Sequence, residues 1–129
     1  MTASAAPRAL ACLLATFASG SAGACEGLVV TDAWIREPPP GATAVAVYMT
    51  LENDGAREIA VNGLTSPQFA RGMLHETIRD GDRVRMQHVA ALTLAPGTSR
   101  SLAPGALHGM LIKPVHTMPQ AGDTVDAML

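Results

Sequence analysis

The chain has 129 residues, about half of them hydrophobic, and a formal net charge of −2 at pH 7. A weakly acidic chain of this kind has no electrostatic basis for binding nucleic acid. It contains no Cys-x-x-Cys motif, no nucleophile-elbow sequence and no phosphate-binding glycine loop. Since the common catalytic motifs are missing from the sequence, we expect a binding protein and not an enzyme.

Residues 1–24 have the pattern of a secretory signal peptide. Arg8 is the only charged residue before the apolar run 9–18, and Ala22-Gly23-Ala24 is an A-x-A cleavage signal. The apolar run is too short to span a bilayer. We therefore expect a leader that is removed on export, followed by a single domain over residues 25–129.

The cysteines agree with an exported protein that uses no thiolate. Cys12 would leave with the leader, so Cys25 has no partner for an intramolecular disulfide. Cys25 at the new N-terminus also suggests, as an alternative, that the mature protein carries a lipid anchor at this cysteine. This is the weaker alternative, because residues 21–24 lack the leucine that usually stands three residues before a lipoprotein cysteine. The expected location is the periplasm.

Short strands separated by turns account for the rest of the chain. Proline and glycine clusters interrupt it, for example at Pro38-Pro39-Pro40-Gly41 and Ala103-Pro104-Gly105. Apolar and β-branched residues between the clusters predict strands over 28–36, 43–51, 57–64, 71–79, 83–89, 92–94, 98–102 and 107–113. Repeated tight turns are typical of an antiparallel sandwich or barrel. The prediction is an all-β domain, with the single tryptophan, Trp34, as a core anchor.

One predicted hairpin concentrates unusual side chains. Asp80-Gly81 is a strong signal for a two-residue type I′ turn, because both central residues tolerate positive φ. Strand alternation then places two histidines and two methionines on one face of the hairpin. The opposed pairs predicted by this turn are Glu76 with Arg85, His75 with Met86, and Met73 with His88. We therefore expect an imidazole beside a thioether.

A third segment, His108-Gly109-Met110, repeats the combination of imidazole and thioether. His108 and Met110 are two residues apart on a predicted strand and so share a face, which can close on the hairpin if the two segments meet. Imidazole and thioether without thiolate or carboxylate suit Cu(I) better than Zn²⁺, Ca²⁺ or Mg²⁺, because thioether sulfur is soft and uncharged. Copper is the predicted metal.

The spacing of these residues resembles the periplasmic copper-A chaperone family (PCuAC, or DUF461). The matching motif is His75, ten residues, Met86, twenty-one residues, then His108-Gly109-Met110. The resemblance extends to Asp32-Ala33-Trp34-Ile35-Arg36 and to residues 48–53. It implies a cupredoxin-like Greek-key barrel or sandwich. It also implies one Cu(I) per chain, with His75, Met86, His108 and Met110 as ligands.

The same resemblance implies a partner and a function. It predicts a monomeric metallochaperone that delivers Cu(I) to the copper-A subunit of cytochrome c oxidase, or to other periplasmic copper proteins. A copper buffer or resistance protein without a dedicated client is the alternative, and a metal-free interaction module is a remote third reading. Met73 and His88 could have an auxiliary role, and His116 with Met118 could form a weak second site. Because family members continue beyond Leu129, we also expect the last one to two strands to be missing.

Overall fold

The computed structural model describes residues 26–129, which form eight β-strands and, within that range, no helix. The predicted signal peptide, residues 1–24, and Cys25 lie outside the described residues. Strand boundaries agree with the predicted ones to within about two residues at most ends. The strands are β1 (Leu28–Ile35), β2 (Ala44–Asn53), β3 (Ile59–Val61), β4 (Phe69–Asp80), β5 (Arg83–Val89), β6 (Leu92–Leu94), β7 (Ser99–Leu102) and β8 (Leu107–Pro114).

Two antiparallel sheets make up the domain, which confirms the all-β prediction. The six-stranded sheet has the order β1-β2-β8-β4-β5, and β7 pairs with β2 beside this path. The small sheet is β3 with β6. Because β8 lies between β2 and β4, the last strand in sequence is placed at the centre of the large sheet. That crossover brings the His-Gly-Met segment next to the hairpin.

The hydrophobic core lies between the two sheets. The large sheet contributes Leu51, Leu74 and Leu111, which have no exposed surface, and the small sheet contributes Leu94. Alternation along β4 and β8 turns the neighbouring residues to the opposite face of the sheet. One face of β4 and β8 therefore builds the core, and the other face is left for the polar and sulfur-containing side chains.

A buried asparagine ties the two sheets together at the end of β2. The Asn53 side-chain amide donates to the carbonyl oxygens of Arg57 at 2.7 Å and Leu94 at 2.9 Å. Its Oδ1 accepts from the backbone N–H of Gly55 at 3.0 Å, which closes the turn after β2. Asn53 is fully buried, and its amide forms three of the four hydrogen bonds that it can make.

The hairpin between β4 and β5 has a different register from the predicted one. Asp80 pairs with Arg83, so the loop is Gly81-Asp82 and not Asp80-Gly81. A type I′ turn at the predicted place needs positive φ at Asp80, but in this loop only Gly81, with φ of 58°, has it. Positive φ at the first central residue alone is the pattern of a type II′ turn.

This turn changes every opposed pair of the hairpin while keeping the faces. The predicted pairs of His75 with Met86, Met73 with His88 and Glu76 with Arg85 are wrong. Partners shift by two positions, an even number, so the same side chains still share one face. The observed pairs are His75 with His88, Glu76 with Gln87, and Thr77 with Met86.

Trp34 is not a core anchor. Its side chain is 44% exposed and packs against Tyr48, with ring centroids 4.6 Å apart, while the Arg36 guanidinium lies 5.8 Å from the centroid of the Trp34 ring. Trp34 lines a cleft of about 860 Å³ between β1, β2 and residues 119–129. The segment 119–129 is held in part by Met128, which exchanges two backbone hydrogen bonds with Thr65. Within residues 26–129 no helix is long and apolar enough to cross a membrane.

Candidate metal centre

Three histidines lie in a row across the outer face of the large sheet. His75 on β4 is directly opposite His108 on β8 and His88 on β5. The ring centroids of His75 and His108 are 5.9 Å apart, and those of His75 and His88 are 6.2 Å apart. Imidazoles that share one metal ion through bonds of about 2.0–2.1 Å have centroids at most about 6.4 Å apart. Both pairs are within this limit.

Two methionines form the next row of the same face. Met73 on β4 is directly opposite Met110 on β8, and both side chains are half-buried. Directly opposed residues have Cβ atoms about 4.5–5.5 Å apart. The pairing of β4 with β8 therefore makes the hairpin and the His-Gly-Met segment neighbours in one sheet.

The glycine between His108 and Met110 sets how closely β8 approaches the core. A Cβ at Gly109 would lie 3.1 Å from a methyl group of Leu64 and 3.2 Å from Cβ of Val47. Without that Cβ, the strand packs directly on Leu64. His108 and Met110 are consequently held on the outer face by a well-packed inner one.

His108 has one nitrogen committed and one free. Its Nδ1 lies 2.9 Å from the carbonyl oxygen of Ala106. A carbonyl oxygen only accepts, so Nδ1 carries the proton and donates it, which leaves the Nε2 lone pair available. Side-chain Nε2 is buried and has no hydrogen-bond partner, and His108 as a whole is only 4% exposed. A backbone carbonyl that fixes the tautomer in this way is usual for a metal-binding histidine.

His75 presents a second buried nitrogen without a partner. Its Nδ1 has no hydrogen bond, like Nε2 of His108 across the strand pair. Burial lowers the pKa of His75 from its ordinary value of 6.5, and the nearby imidazoles of His108 and His88 lower this pKa further when protonated. A lowered pKa keeps the ring neutral, which is the form that binds a metal. Buried polar atoms are rarely left unpaired without a reason.

The chemistry of this face is therefore set by neutral nitrogen and sulfur atoms. In the part of the chain that the structure describes, no three side chains from His, Cys, Asp and Glu are grouped closely enough to hold a metal ion. The donors that lie beside these two imidazoles are the imidazole of His88 and the thioethers of Met73 and Met110. A soft, singly charged ion fits such a set better than a hard divalent one.

The structure brings together three of the four predicted ligands. His75, His108 and Met110 are neighbours, whereas Met86 lies opposite Thr77 on the edge strand β5 and is 59% exposed. Sequence reasoning gave Met73 at most an auxiliary role, because its pairing with Met110 depends on a contact between distant segments. The two residues of the suggested second site have different environments, since His116 is exposed and Met118 packs against the hydrophobic core.

Solved structures of similar shape identify the class of fold. The "Copper-bound PCuAC domain from PmoF2" superimposes with a TM-score of 0.64 at 23% identity, covering 78% of each chain. The "Apo PCuAC domain from PmoF1" has a TM-score of 0.64 at 20% identity, covering 78% of this chain and 79% of that one. At such identities the likeness shows the fold. The chain has an all-β, cupredoxin-like fold similar to that of these domains.

The family follows from the sequence itself. Residues 28–129 match the family described as "Putative lipoprotein LpqE-like", and the chain belongs to this family. A relative from Leifsonia xyli subsp. xyli, "Putative lipoprotein Lxx21020", is 30% identical over 88 residues, which are 67% of this chain and 52% of the relative. The chain thus spans about half the length of this curated relative.

Proposed function

We propose that this protein is an exported copper carrier that binds one Cu(I) per chain through His75, His108 and Met110, and that the fourth predicted ligand, Met86, joins them when the hairpin bends toward β8. The observation that carries the proposal is the pair of buried, unpartnered nitrogens, Nδ1 of His75 and Nε2 of His108, on directly opposed residues. Metal coordination would satisfy both atoms at once. The thioether of Met110, one row away on the same face, would add soft sulfur.

Cu(I) is the metal that this donor set favours. Two neutral imidazoles and thioether sulfur add no negative charge, so a divalent hard cation would gain little from them. Thioethers also survive in an oxidising compartment where thiolates are lost to disulfides. The structural neighbour that carries copper is a PCuAC domain, and this likeness in fold supports copper as the cargo.

Delivery of the metal to a client is the role that fits a carrier with uncharged ligands. A neutral ligand set on the face of a sheet releases Cu(I) by ligand exchange, without a proton or redox step. We propose the copper-A subunit of cytochrome c oxidase as the client and the monomer as the working form. A copper buffer without a dedicated client is the competing function. No catalytic step is needed in either.

The proposed location is the periplasm or the outer face of a membrane. The signal-like pattern of residues 1–24 supports export. The lipoprotein descriptions of the family and of the relative also support export. They favour a lipid anchor at Cys25 more than the sequence alone did.

Anaerobic titration of the purified domain with Cu(I) and a competing chelator tests binding. We expect one equivalent to bind, and X-ray absorption should show mixed nitrogen and sulfur scattering at copper. His108→Gln should weaken binding at least tenfold, because mutating even a residue that only hydrogen-bonds to a metal ligand costs about 10–100-fold in metal affinity. His116→Gln, the fourth histidine, is the matched control and should bind as the wild type does. A purely nitrogen and oxygen shell, or equal affinity in the two variants, contradicts the proposal.

Transfer experiments separate delivery from storage. The loaded domain is mixed with an apo copper-A domain, samples taken at intervals are oxidised with ferricyanide, and the mixed-valence copper-A absorption bands are read, because a centre that holds only Cu(I) lacks these bands. Faster growth of the bands than with a free Cu(I)–chelator complex supports a chaperone. Retention of Cu(I) by the carrier, together with normal oxidase activity after deletion of its gene, supports a buffer.

A further inference from the structure

We propose that Met73 is a copper ligand of this centre. The inference rests on the proposed function, and it adds a residue that the His/Met spacing motif does not contain. Among the donors on the outer face, four form two directly opposed pairs on β4 and β8, His75 with His108 and Met73 with Met110. Both pairs join the same two strands, β4 and β8, so their relative positions are set by one continuous ladder of backbone hydrogen bonds.

The spacing of the ladder makes this set compact. Neighbouring strands lie about 4.8 Å apart, and residues on one face of a strand repeat about every 6.7 Å. On a flat sheet the four Cα atoms thus occupy the corners of a rectangle of about 5 by 7 Å, and each is about 4 Å from its centre. A metal above that centre is within reach of two imidazoles and two thioethers.

Met86 is far from the same point. It lies one strand further out on β5 and one row beyond the histidines, on the side away from Met110. The same spacings put its Cα about 12 Å from the centre of the rectangle. An extended methionine carries its sulfur about 4 Å from Cα, and a metal–sulfur bond adds about 2.3 Å. Met86 therefore falls several ångströms short unless the hairpin curls over the face.

Burial points the same way as distance. Met73 is half-buried beside the unpartnered nitrogens, whereas Met86 is 59% exposed on an edge strand. The half-buried thioether of Met73 is already held near the proposed metal position, so little side-chain freedom is lost when the metal binds. Met73 supplies the second sulfur in the arrangement that the structure has, and Met86 joins only when the hairpin bends toward β8.

Replacement of Met73 by leucine tests the assignment. Leucine keeps the volume of the side chain and removes the sulfur, and such swaps are tolerated best in packed positions. We expect the Cu(I) affinity of Met73→Leu to fall at least tenfold and its copper X-ray absorption to lose one sulfur scatterer. Met73→Gln, of similar length and also without sulfur, should behave in the same way. Met118→Leu, a half-buried methionine outside the site, is the control and should keep wild-type values.

Each result bears on the inference. Thermal melts of the copper-free variants establish that they are folded, so a loss of affinity can be ascribed to the missing ligand. Wild-type affinity and sulfur count in both Met73 variants, or a larger loss in Met86→Leu than in Met73→Leu, overturns the assignment and leaves the copper carrier intact. Failure of the wild-type domain to bind Cu(I) overturns both.

Discussion

Gly72 is the position where the smallest change should damage the domain most. It lies on β4 directly before Met73 and faces the core, where the main chain of Leu64 crosses it. A Cβ added at Gly72 would lie 2.0 Å from the carbonyl oxygen of Leu64 and 2.9 Å from its carbonyl carbon. Cβ atoms essentially never come closer than 3.0 Å to such atoms, so Gly72→Ala requires about 1 Å of movement between two backbone segments.

Neither segment can move freely. β4 is paired with β5 on one side and β8 on the other, and Thr65, next to Leu64, exchanges two 2.8 Å hydrogen bonds with Met128. We therefore expect Gly72→Ala to cost about 3 kcal/mol or more, at the upper end of the range for overpacking. For a domain of this size that lowers Tm by at least about 12 °C. The same displacement moves β4 against β8, so Cu(I) affinity should fall as well.

Gly109→Ala provides the matched control on the facing strand. Its Cβ would meet methyl groups of Leu64 at 3.1 and 3.2 Å and Cβ of Val47 at 3.2 Å, which movements of a few tenths of an ångström relieve. Its cost should be about 1 kcal/mol. Thermal and urea unfolding of both variants, followed by circular dichroism, gives the comparison. If Gly72→Ala melts within about 4 °C of the wild type, or if Gly109→Ala lowers the melting temperature more than Gly72→Ala does, the close approach of Leu64 to β4 is not a constraint.

Three further outcomes follow from the same structure. Protons compete with Cu(I) for imidazole nitrogen, so well below the histidine pKa the affinity should fall by nearly two decades per pH unit, and by one in His75→Met. Equal slopes in competition titrations from about pH 7.5 to 4.5 would mean that His75 is not a ligand. In the copper-free protein, the folded-state pKa of His75 lies below its unfolded value of about 6.5. The unfolded chain therefore takes up the proton first, so the free energy of unfolding should decrease as pH falls through that region, and decrease less in His75→Met. Asn53→Ala removes three hydrogen bonds and leaves the buried carbonyl of Leu94 without its partner, which should cost about 2–3 kcal/mol in urea unfolding, whereas the exposed change Asp54→Ala should cost little.

The strands of this protein could be predicted because their signals are local. Alternating apolar residues end at proline and glycine clusters, and such clusters terminate a ladder whatever the rest of the chain does. The same alternation correctly placed Met73, His75, Met86 and His88 on one face. Within the hairpin, however, the local signal was ambiguous. Gly81 can serve as the second residue of a type I′ turn or as the first of a type II′ turn, and the two choices shift every pair by two positions.

Trp34 illustrates a different limit of local reasoning. A lone tryptophan among β-branched residues usually anchors a core. In this fold Trp34 follows an irregularity between Thr31 and Trp34, with Asp32 at φ of 52°, on a strand at the edge of the large sheet. The bulge and the edge position leave its ring against Tyr48 and the cleft. Which face of an edge strand is covered depends on what packs over it, and that is a property of the whole domain.

The donor types of the candidate centre were determined by the sequence alone, since the residues of the motif are histidine and methionine and therefore supply imidazole and thioether. Its arrangement was decided by tertiary structure. His75 and His108 are separated by more than thirty residues along the chain, and so are Met73 and Met110. They become opposed pairs because β8 inserts between β2 and β4. No local periodicity encodes such an insertion, because it follows from burying the inner faces of β4 and β8 against Leu64 and the small sheet, and the outer face inherits its register from that packing.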